Sequence, residues 1–311
     1  MQLKPLTIGK ITLSNNVFLA PMAGFTDYAF RHVALECGYS LCFTELVSAK
    51  GLCYGAKGTK ELIRCDGDEN KTAVQLFGAD PYYMRKAIES SELQGFDIID
   101  INMGCPVPKL FKNGEGAALL TDIGKARKII EECVKSGKII TLKIRTGQKA
   151  GDDVASEFAM MAEQSGASLI TVHGRVREAY YSGEIDYDAI AKAKKSVKIP
   201  VIANGGIFCK ADADIISERT GADGIMLARG GIQNPFLVSE ILGQAPPCTL
   251  KEYIKKHLLL LYETQGEHGA VEFRKFIPYY FKGKRDFKDT RMKLLSLNKI
   301  TDLVEEIEKI V

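Results

Sequence analysis

The sequence lacks the signatures that would place the chain in a membrane, a secretory route or a metal-dependent class. Its 8 cysteines include no CxxC pair and no regular spacing, so we expect neither a zinc site nor a disulfide framework. No apolar run approaches the roughly 18 residues of a membrane span. Residues 1–16 lack an apolar core of signal-peptide length. We therefore expect a reduced, cytoplasmic protein that binds neither metal nor membrane.

Charge of either sign is not in large excess. The net charge of the 311 residues is +3, and 26% of them are charged, as in an ordinary globular protein. Residues 244–311 contain 13 lysines and arginines against 10 acidic residues, so the whole excess lies there. The chain is long enough for one large domain or two unequal ones, and we find no internal repeat beyond the alternation described next.

Eight short apolar runs predict eight β-strands. They cover residues 17–20, 39–43, 72–76, 96–101, 139–144, 168–172, 199–203 and 224–228. Helical patterns separate most of them, for example at 81–92, 123–135 and 154–164. This alternation predicts an α/β fold, a parallel (β/α)₈ TIM barrel. A doubly wound open sheet is the alternative, but it rarely needs eight regular units, and no GxGxxG motif follows the first strand.

A second, helical domain is expected after the barrel. The Gly- and Pro-rich stretch 243–247 interrupts the alternation and resembles a linker. Thr249 and Glu252 then form a capping-box pattern, which is typical of a helix start. Apolar residues recur at helical spacing between Leu294 and Ile307. The predicted domains are residues 1–243 and 247–311.

The stretch from Asp100 to Pro106 contains the leading catalytic candidate. A buried strand predicted to end near Ile101 is followed by Gly104, Cys105 and Pro106, which would place the cysteine on a sharp turn. Barrel enzymes carry their catalytic groups at this carboxyl end of the strands. A lone Gly-Cys-Pro step more often marks a small buried cysteine, so the interpretation depends on the neighbouring strand ends.

Polar residues follow the other predicted strands at the same end. The loops Asn204-Gly205-Gly206 and Arg229-Gly230-Gly231 offer backbone amides and a guanidinium, which favours a phosphate site over two unrelated tight turns. Lys143 and His173 end two further strands, and Gln75 could bond along the edge of a heteroaromatic ring. Together these groups suit a flat cofactor that carries a phosphate, such as a flavin.

The same segments, in the same order, resemble those of the tRNA-dihydrouridine synthases. The opening stretch Ala20-Pro21-Met22-Ala23-Gly24-Phe25-Thr26-Asp27 is similar to that family's signature. Six further matching segments are residues 74–78, 100–106, 116–120, 143–147, 173–175 together with 181–183, and 202–205. The similarity spans the barrel and continues more weakly into the C-terminal region.

The resemblance implies an FMN enzyme that uses NADPH to reduce the C5=C6 bond of uridine in tRNA. Cys105 would be the general acid, and Asn102 and Arg145 would contact the uracil. FMN would be held by Pro21, Met22, Ala23, Gln75, Lys143, His173, Asn204, Gly205, Gly206, Arg229 and Gly230. We also assign Lys109, Arg177, Arg274 and Lys275 to tRNA binding. Gly206 departs from the pattern, since many members have an acidic residue there, which leaves one hydrogen bond to FMN open.

The chemistry agrees with these roles. Hydride transfer from reduced FMN to C6 would leave enolate-like charge on the uracil, and C5 must then be protonated from the other face. A cysteine with a pKa near ~8.5 is mostly a thiol at neutral pH and can donate that proton. A nucleophilic cysteine is the alternative, but no base lies beside Cys105 in sequence.

A basic stretch, residues 274–293, is the predicted RNA-binding surface. It holds 8 lysines and arginines against 2 aspartates, interleaved with five aromatic residues. A solvated helix face over a small aromatic core would fit the same pattern. Two other functions stay open: a flavin-dependent reductase of a small molecule such as a free pyrimidine or an enone, and a non-catalytic RNA-binding protein. We expect a monomer, while the uridine position and the choice between NADPH and NADH are left open.

Overall fold

The structure is a computed structural model that describes residues 2–68, 71–282 and 287–310, and only the backbone of Phe287. Lys284 and Arg285 of the predicted basic stretch lie outside the described residues.

Eight parallel strands close into a barrel, preceded by two short strands. The short strands are β1 (Leu6–Ile8) and β2 (Ile11–Leu13). The barrel strands are β3 (Val17–Leu19), β4 (Leu41–Ser48), β5 (Thr72–Phe77), β6 (Ile98–Met103), β7 (Ile139–Arg145), β8 (Leu169–His173), β9 (Val201–Asn204) and β10 (Gly224–Leu227). Each pairs with the next, and β10 pairs with β3 to close the ring. The predicted TIM barrel is confirmed.

Helices surround the barrel, and several begin at an aspartate. The helices from the barrel region are α1 (Tyr28–Glu36), α2 (Ala49–Cys53), α3 (Thr59–Leu62), α4 (Pro81–Ile88), α5 (Pro108–Lys112), α6 (Ile123–Val134), α7 (Ala155–Gln164), α8 (Tyr187–Ser196), α9 (Lys210–Thr220), α10 (Arg229–Gln233) and α11 (Leu237–Leu242). The carboxylates of Asp27, Asp80, Asp122 and Asp186 accept backbone N–H groups at the starts of α1, α4, α6 and α8. These caps fix where the helices begin, at the end of the barrel where the preceding strands finish.

The hairpin formed by β1 and β2 closes the opposite end and is absent from the sequence-based prediction. Leu6, Ile8 and Leu13 are buried against residues of the barrel interior, among them Ile139 at the start of β7. Gly9, with a φ of 56°, takes the first of the two loop positions. With this end filled by apolar side chains, ligands must enter from the carboxyl ends of the strands.

The C-terminal region is helical, as predicted, and packs on α1. Its helices are α12 (Leu250–Gln265), α13 (His268–Phe273), α14 (Ile277–Tyr280), α15 (Phe287–Ser296) and α16 (Ile300–Glu308). Thr249 and Glu252 form the expected capping box at α12. Phe30 of α1 contacts His257 and Phe276, with ring centroids 5.8 and 5.3 Å apart. The domain boundary near residues 243–247 stays a prediction.

Of the helices described, none is both long and apolar enough to cross a bilayer.

His257 lies at the centre of this aromatic junction and makes its stability depend on pH. Its ring is fully buried, and its Nδ1 lies 2.9 Å from the Tyr280 hydroxyl. Burial, with a smaller effect of the Lys275 charge, lowers the pKa of His257 from 6.5 to about 3. The folded protein therefore holds a neutral imidazole, while the unfolded chain takes up a proton below about pH 6.5.

We predict that His257 reduces the free energy of unfolding as the pH falls from 6.5 toward 3. Between pH 7.5 and 5 the loss due to this one group should be about 2 kcal/mol. His257→Gln should lower the overall stability yet lose less stability over that pH interval than the wild type. Urea unfolding at several pH values measures this, with His268→Gln in α13 as the exposed control. Parallel pH profiles for wild type and His257→Gln would contradict the prediction.

Candidate active site

A cavity of about 450 Å³ opens at the carboxyl ends of the barrel strands. Most of the residues predicted to form the site line it: Pro21, Met22, Ala23, Asn102, Cys105, Lys143, Arg145, His173, Asn204, Gly205, Gly206, Arg229 and Gly230. Gln75 lies behind the wall, and Lys109, Arg177, Arg274 and Lys275 are not among the lining residues. The structure therefore brings together residues from β3, β6, β7, β8, β9 and β10 and the loops that follow them.

A chain of buried hydrogen bonds runs through the wall from Thr141 to the Cys105 turn. The Asp100 carboxylate accepts 2.6 Å bonds from the Thr141 hydroxyl and from Gln75 Nε2. Gln75 Oε1 accepts a 2.8 Å bond from Asn102 Nδ2, and Asn102 Oδ1 accepts a 3.0 Å bond from the Cys105 backbone N–H. Strand register explains the contacts, since Asp100 pairs with Gln75 on one side and with Thr141 on the other. Gln75 thus supports Asn102 from behind.

Asp100 is a group in this wall that the sequence did not assign to the site. It is fully buried, which raises the pKa of its carboxyl to about 6 although the bonds from Gln75 and Thr141 and the charge of Lys143 act in the opposite direction. Its only signal in the sequence is a charged residue inside an otherwise apolar strand. Because both its oxygens accept hydrogen bonds, it fixes side chains on β5 and β7 relative to β6.

The turn at Cys105 is held by contacts that require a glycine at position 116. Gly116 has a φ of +59°, and a Cβ there would lie 2.9 Å from the Cys105 carbonyl oxygen. That oxygen accepts a bond from the Ala117 N–H at 3.1 Å, and the neighbouring Gly104 oxygen accepts one from Arg145 Nε at 2.8 Å. The thiol is therefore carried by a backbone fixed on both sides.

Burial keeps the Cys105 thiol protonated at neutral pH. It raises the pKa of Cys105, while a hydrogen bond from the Val107 N–H and the charges of Arg145 and Lys143 lower it by less. Arg145 itself is bonded to backbone oxygens of Gly104 and Val176, and burial lowers the pKa of its guanidinium to about 10. The side chain beside the thiol is thus a cation rather than a base.

The cavity wall carries several cationic groups. Among the described residues that line it there is no aspartate or glutamate. Lys143 Nζ donates a 2.9 Å bond to Asn204 Oδ1, and burial followed by repulsion from Arg145 lowers the pKa of Lys143 to about 7. Burial lowers the pKa of His173 well below 6.5, so its imidazole is neutral. Such a set favours a ligand that carries negative charge.

Two glycine loops line the cavity beside these cations. Gly205 and Gly206 have φ values of +121° and +71°, and a Cβ at Gly205 would lie 2.9 Å from His173 Cδ2. A Cβ at Gly230 would lie 2.1 Å from the Ile207 oxygen. Larger residues would be strained here or would clash with these protein atoms. At Gly206 the left-handed backbone is one that glycine adopts without strain.

Two tyrosines in the cavity wall were not among the predicted site residues. The guanidinium groups of Arg145 and Arg229 lie 5.6 and 5.5 Å from the centroid of the Tyr181 ring, and the Tyr181 carbonyl accepts a 2.9 Å bond from Arg229. Tyr279 of α14 reaches the cavity and packs edge-on against Phe25 at 5.6 Å. Tyr181 belongs to a segment that matches the family pattern, whereas the contact of Tyr279 joins residues far apart in the chain, so no local sequence pattern indicates it.

The four residues assigned to tRNA lie away from the cavity lining. Lys109 is exposed on α5, and Arg177 stacks on Phe111 of α5, 4.3 Å from its ring centroid. Arg274 donates to Asn298 Oδ1 at 2.6 Å, and Lys275 forms ion pairs with Glu272 at 2.8 Å and Asp27 at 3.6 Å. Arg274 and Lys275 therefore hold the C-terminal helices together and to the barrel, and tRNA binding by all four residues stays a prediction.

Comparison with known proteins agrees with this arrangement. The family model described as dihydrouridine synthase (Dus) matches residues 18–310. A probable tRNA-dihydrouridine synthase 1 of Synechocystis sp. is 35% identical, over 96% of this chain and 87% of its own. The tRNA-dihydrouridine synthase B of Pasteurella multocida is 36% identical, over 97% and 93%. Morphinone reductase shares the fold, with a TM-score of 0.57, 14% identity and coverage of 78% and 89%. The chain belongs to the dihydrouridine synthase family.

Proposed function

We propose that this protein reduces the C5=C6 bond of uridine in tRNA to dihydrouridine, with FMN as its cofactor and NADPH as the reductant. The observation that carries the proposal is the position of the Cys105 thiol, held on a fixed turn in the lining of a cationic cavity. The names of the relatives supply the substrate, since they are tRNA-dihydrouridine synthases at 35–36% identity over nearly the whole chain. They also disfavour a free pyrimidine or an enone as substrate, and a role in RNA binding alone.

The residues present fit FMN. Gly205, Gly206 and Gly230, which line the cavity without side chains, and the guanidinium of Arg229 suit its phosphate. Lys143 and Asn204 suit the polar edge of its ring system, with Lys143 placed to stabilise negative charge there. FMN, when bound and reduced, supplies the hydride. An anionic ligand near Lys143 would also raise the pKa of that lysine from its lowered value of about 7.

The chain's own residues orient the uracil and supply the proton. Asn102 and Arg145 line the cavity on either side of the Cys105 turn and can bond the uracil carbonyl edge, where negative charge develops. Cys105 then donates its proton from Sγ to C5. Because the wall behind Asn102 is fixed by Gln75 and Asp100, these groups need little rearrangement when the base enters.

Cys105→Ala should lower dihydrouridine formation by about 10²–10⁴-fold, the usual loss for a general acid. Bound flavin and its reduction by NADPH should persist, since neither needs a proton on uracil. The measurements are dihydrouridine in tRNA by mass spectrometry, flavin absorbance, and the identity of the flavin released on denaturation. Cys209→Ala, an exposed cysteine, is the control. Near-normal tRNA reduction by Cys105→Ala would remove Cys105 from this role, and a purified protein that takes up no FMN would refute the cofactor.

The protonation state of Cys105 can be tested without turnover. Because burial raises its pKa, the rate of alkylation by iodoacetamide should have its midpoint above the ordinary thiol value of about 8.5. The thiolate fraction, and with it the rate, should still be rising at pH 9. Peptide mass spectrometry separates Cys105 from the other cysteines, and glutathione serves as the reference thiol. A midpoint below that of glutathione would indicate a thiolate at neutral pH and favour a nucleophile over an acid.

Besides Arg274 and Lys275, binding of tRNA should involve exposed cations of the C-terminal region. Lys282, Lys288 and Arg291 are exposed, and changing all three to Gln should weaken tRNA binding. Every cation that no longer meets a phosphate should make the plot of log affinity against log salt shallower by about 0.7–0.9. Titrations at several salt concentrations measure this. Lys128, Lys195 and Lys198, exposed lysines of the barrel, changed together provide a control of equal charge. Equal slopes for the two triple variants would show that this region does not dock tRNA.

A further inference from the structure

A cluster of tyrosines and lysines lies on the surface formed by α2 and α4, outside the cavity. Tyr54, which ends α2, and Tyr83 of α4 approach each other with hydroxyl oxygens 2.6 Å apart and ring centroids 5.8 Å apart. Tyr82 packs edge-on against Tyr83 at 5.3 Å. Lys50 lies 5.4 Å from the Tyr83 centroid and Lys86 lies 5.7 Å from that of Tyr82. These five residues are called the tyrosine–lysine patch below.

The patch keeps large aromatic surfaces in water. Tyr54 is 67% and Tyr82 63% exposed, in contrast to the aromatic rings of the junction around His257, most of which are buried. Neither ring belongs to the hydrophobic core. A contiguous set of exposed aromatic rings is a common mark of a binding surface.

The fold places the patch at the catalytic end of the barrel. Helices α2 and α4 follow β4 and β5, and β5 is the neighbour of β6, which leads to Cys105. Burial raises the pKa of Glu115, and Lys50 is near enough to oppose that shift. Glu115 directly precedes Gly116, which packs on the Cys105 carbonyl. The patch is therefore next to the loop that carries the catalytic candidate.

We propose that the tyrosine–lysine patch binds tRNA by stacking an unpaired base close to the target uridine. The inference rests on the proposed function and adds a contact outside the cavity. Nucleobases stack on tyrosine rings with little dependence on sequence, and ammonium groups beside the rings match the phosphates that link successive bases. A uridine that enters the cavity must leave its own stack, so its neighbours need a new stacking surface. The patch offers one on the side of Cys105 away from the glycine loops.

The absence of tryptophan from the whole chain allows a direct test. Tyr82→Trp would introduce the only indole, and a base stacked on it should quench its fluorescence as tRNA is added to the FMN-loaded protein. Met160→Trp, at an exposed position of α7, is the matched control and should not be quenched. Quenching at position 82 with the same dissociation constant as tRNA binding supports the proposal. Unquenched fluorescence in a Tyr82→Trp variant that still binds tRNA overturns it.

A second pair of variants separates stacking from folding. The double change Tyr54→Ser with Tyr82→Ser should raise the tRNA dissociation constant between about 5-fold and 150-fold, the range for losing one stacked base. The corresponding double change to Phe keeps both rings and should stay close to wild type. Flavin content, thermal unfolding midpoint and kcat at saturating tRNA should not change in either. Equal affinity in the Ser and Phe variants overturns the inference alone, whereas a wild type that never reduces tRNA overturns the proposed function.

Discussion

The buried carboxylate of Asp100 is the constraint on which the catalytic side of this barrel depends. A carboxylate is costly to bury unless hydrogen bonds replace its water, and here Thr141 and Gln75 donate to its two oxygens. Satisfying Asp100 thereby fixes Gln75, which in turn fixes Asn102 and the backbone at Cys105. The position of a thiol at the cavity edge is thus set by a charge buried behind it.

The cavity lining, in contrast to the negative charge buried behind it, has an excess of positive charge. Lys143, Arg145, Arg175 and Arg229 line it, and no acidic residue does so among the described lining residues. Burial, and to a smaller extent repulsion between the cations, lowers the pKa values of Lys143 and Arg145. A bound ligand with negative charge would oppose both effects, so the lining favours an anion. The same cations oppose the rise in the pKa of Cys105 that burial causes, which leaves the thiol an acid that can still release its proton.

Whether a structural feature can be predicted from the sequence depends on how far apart in the chain the contacting residues lie. The barrel strands were predictable because each is an apolar run, and the residues that end them gather at one end by topology alone. The hairpin that closes the other end was missed although Gly9 lies between two alternating segments. Strand β4 continues to Ser48, past the predicted end at Phe43, because a register shift after Phe43 lets it continue beside β5. The contact of Tyr279 with Phe25 joins residues far apart in the chain, so no periodic pattern in the sequence indicates it.

The basic, aromatic stretch 274–293 shows that a composition typical of an RNA-binding surface also serves packing. Most of its described aromatic rings, such as Phe276 and Tyr280, are buried around His257, and Lys275 is paired with Asp27 at the start of α1. The buried rings and Lys275 therefore join the C-terminal helices to the barrel, whereas Lys288, Arg291 and Lys293 are exposed. Tyr279, from the same stretch, lines the cavity. Helix α14 therefore connects the C-terminal helices to the cavity, because Tyr279 packs against Phe25 and both side chains line it.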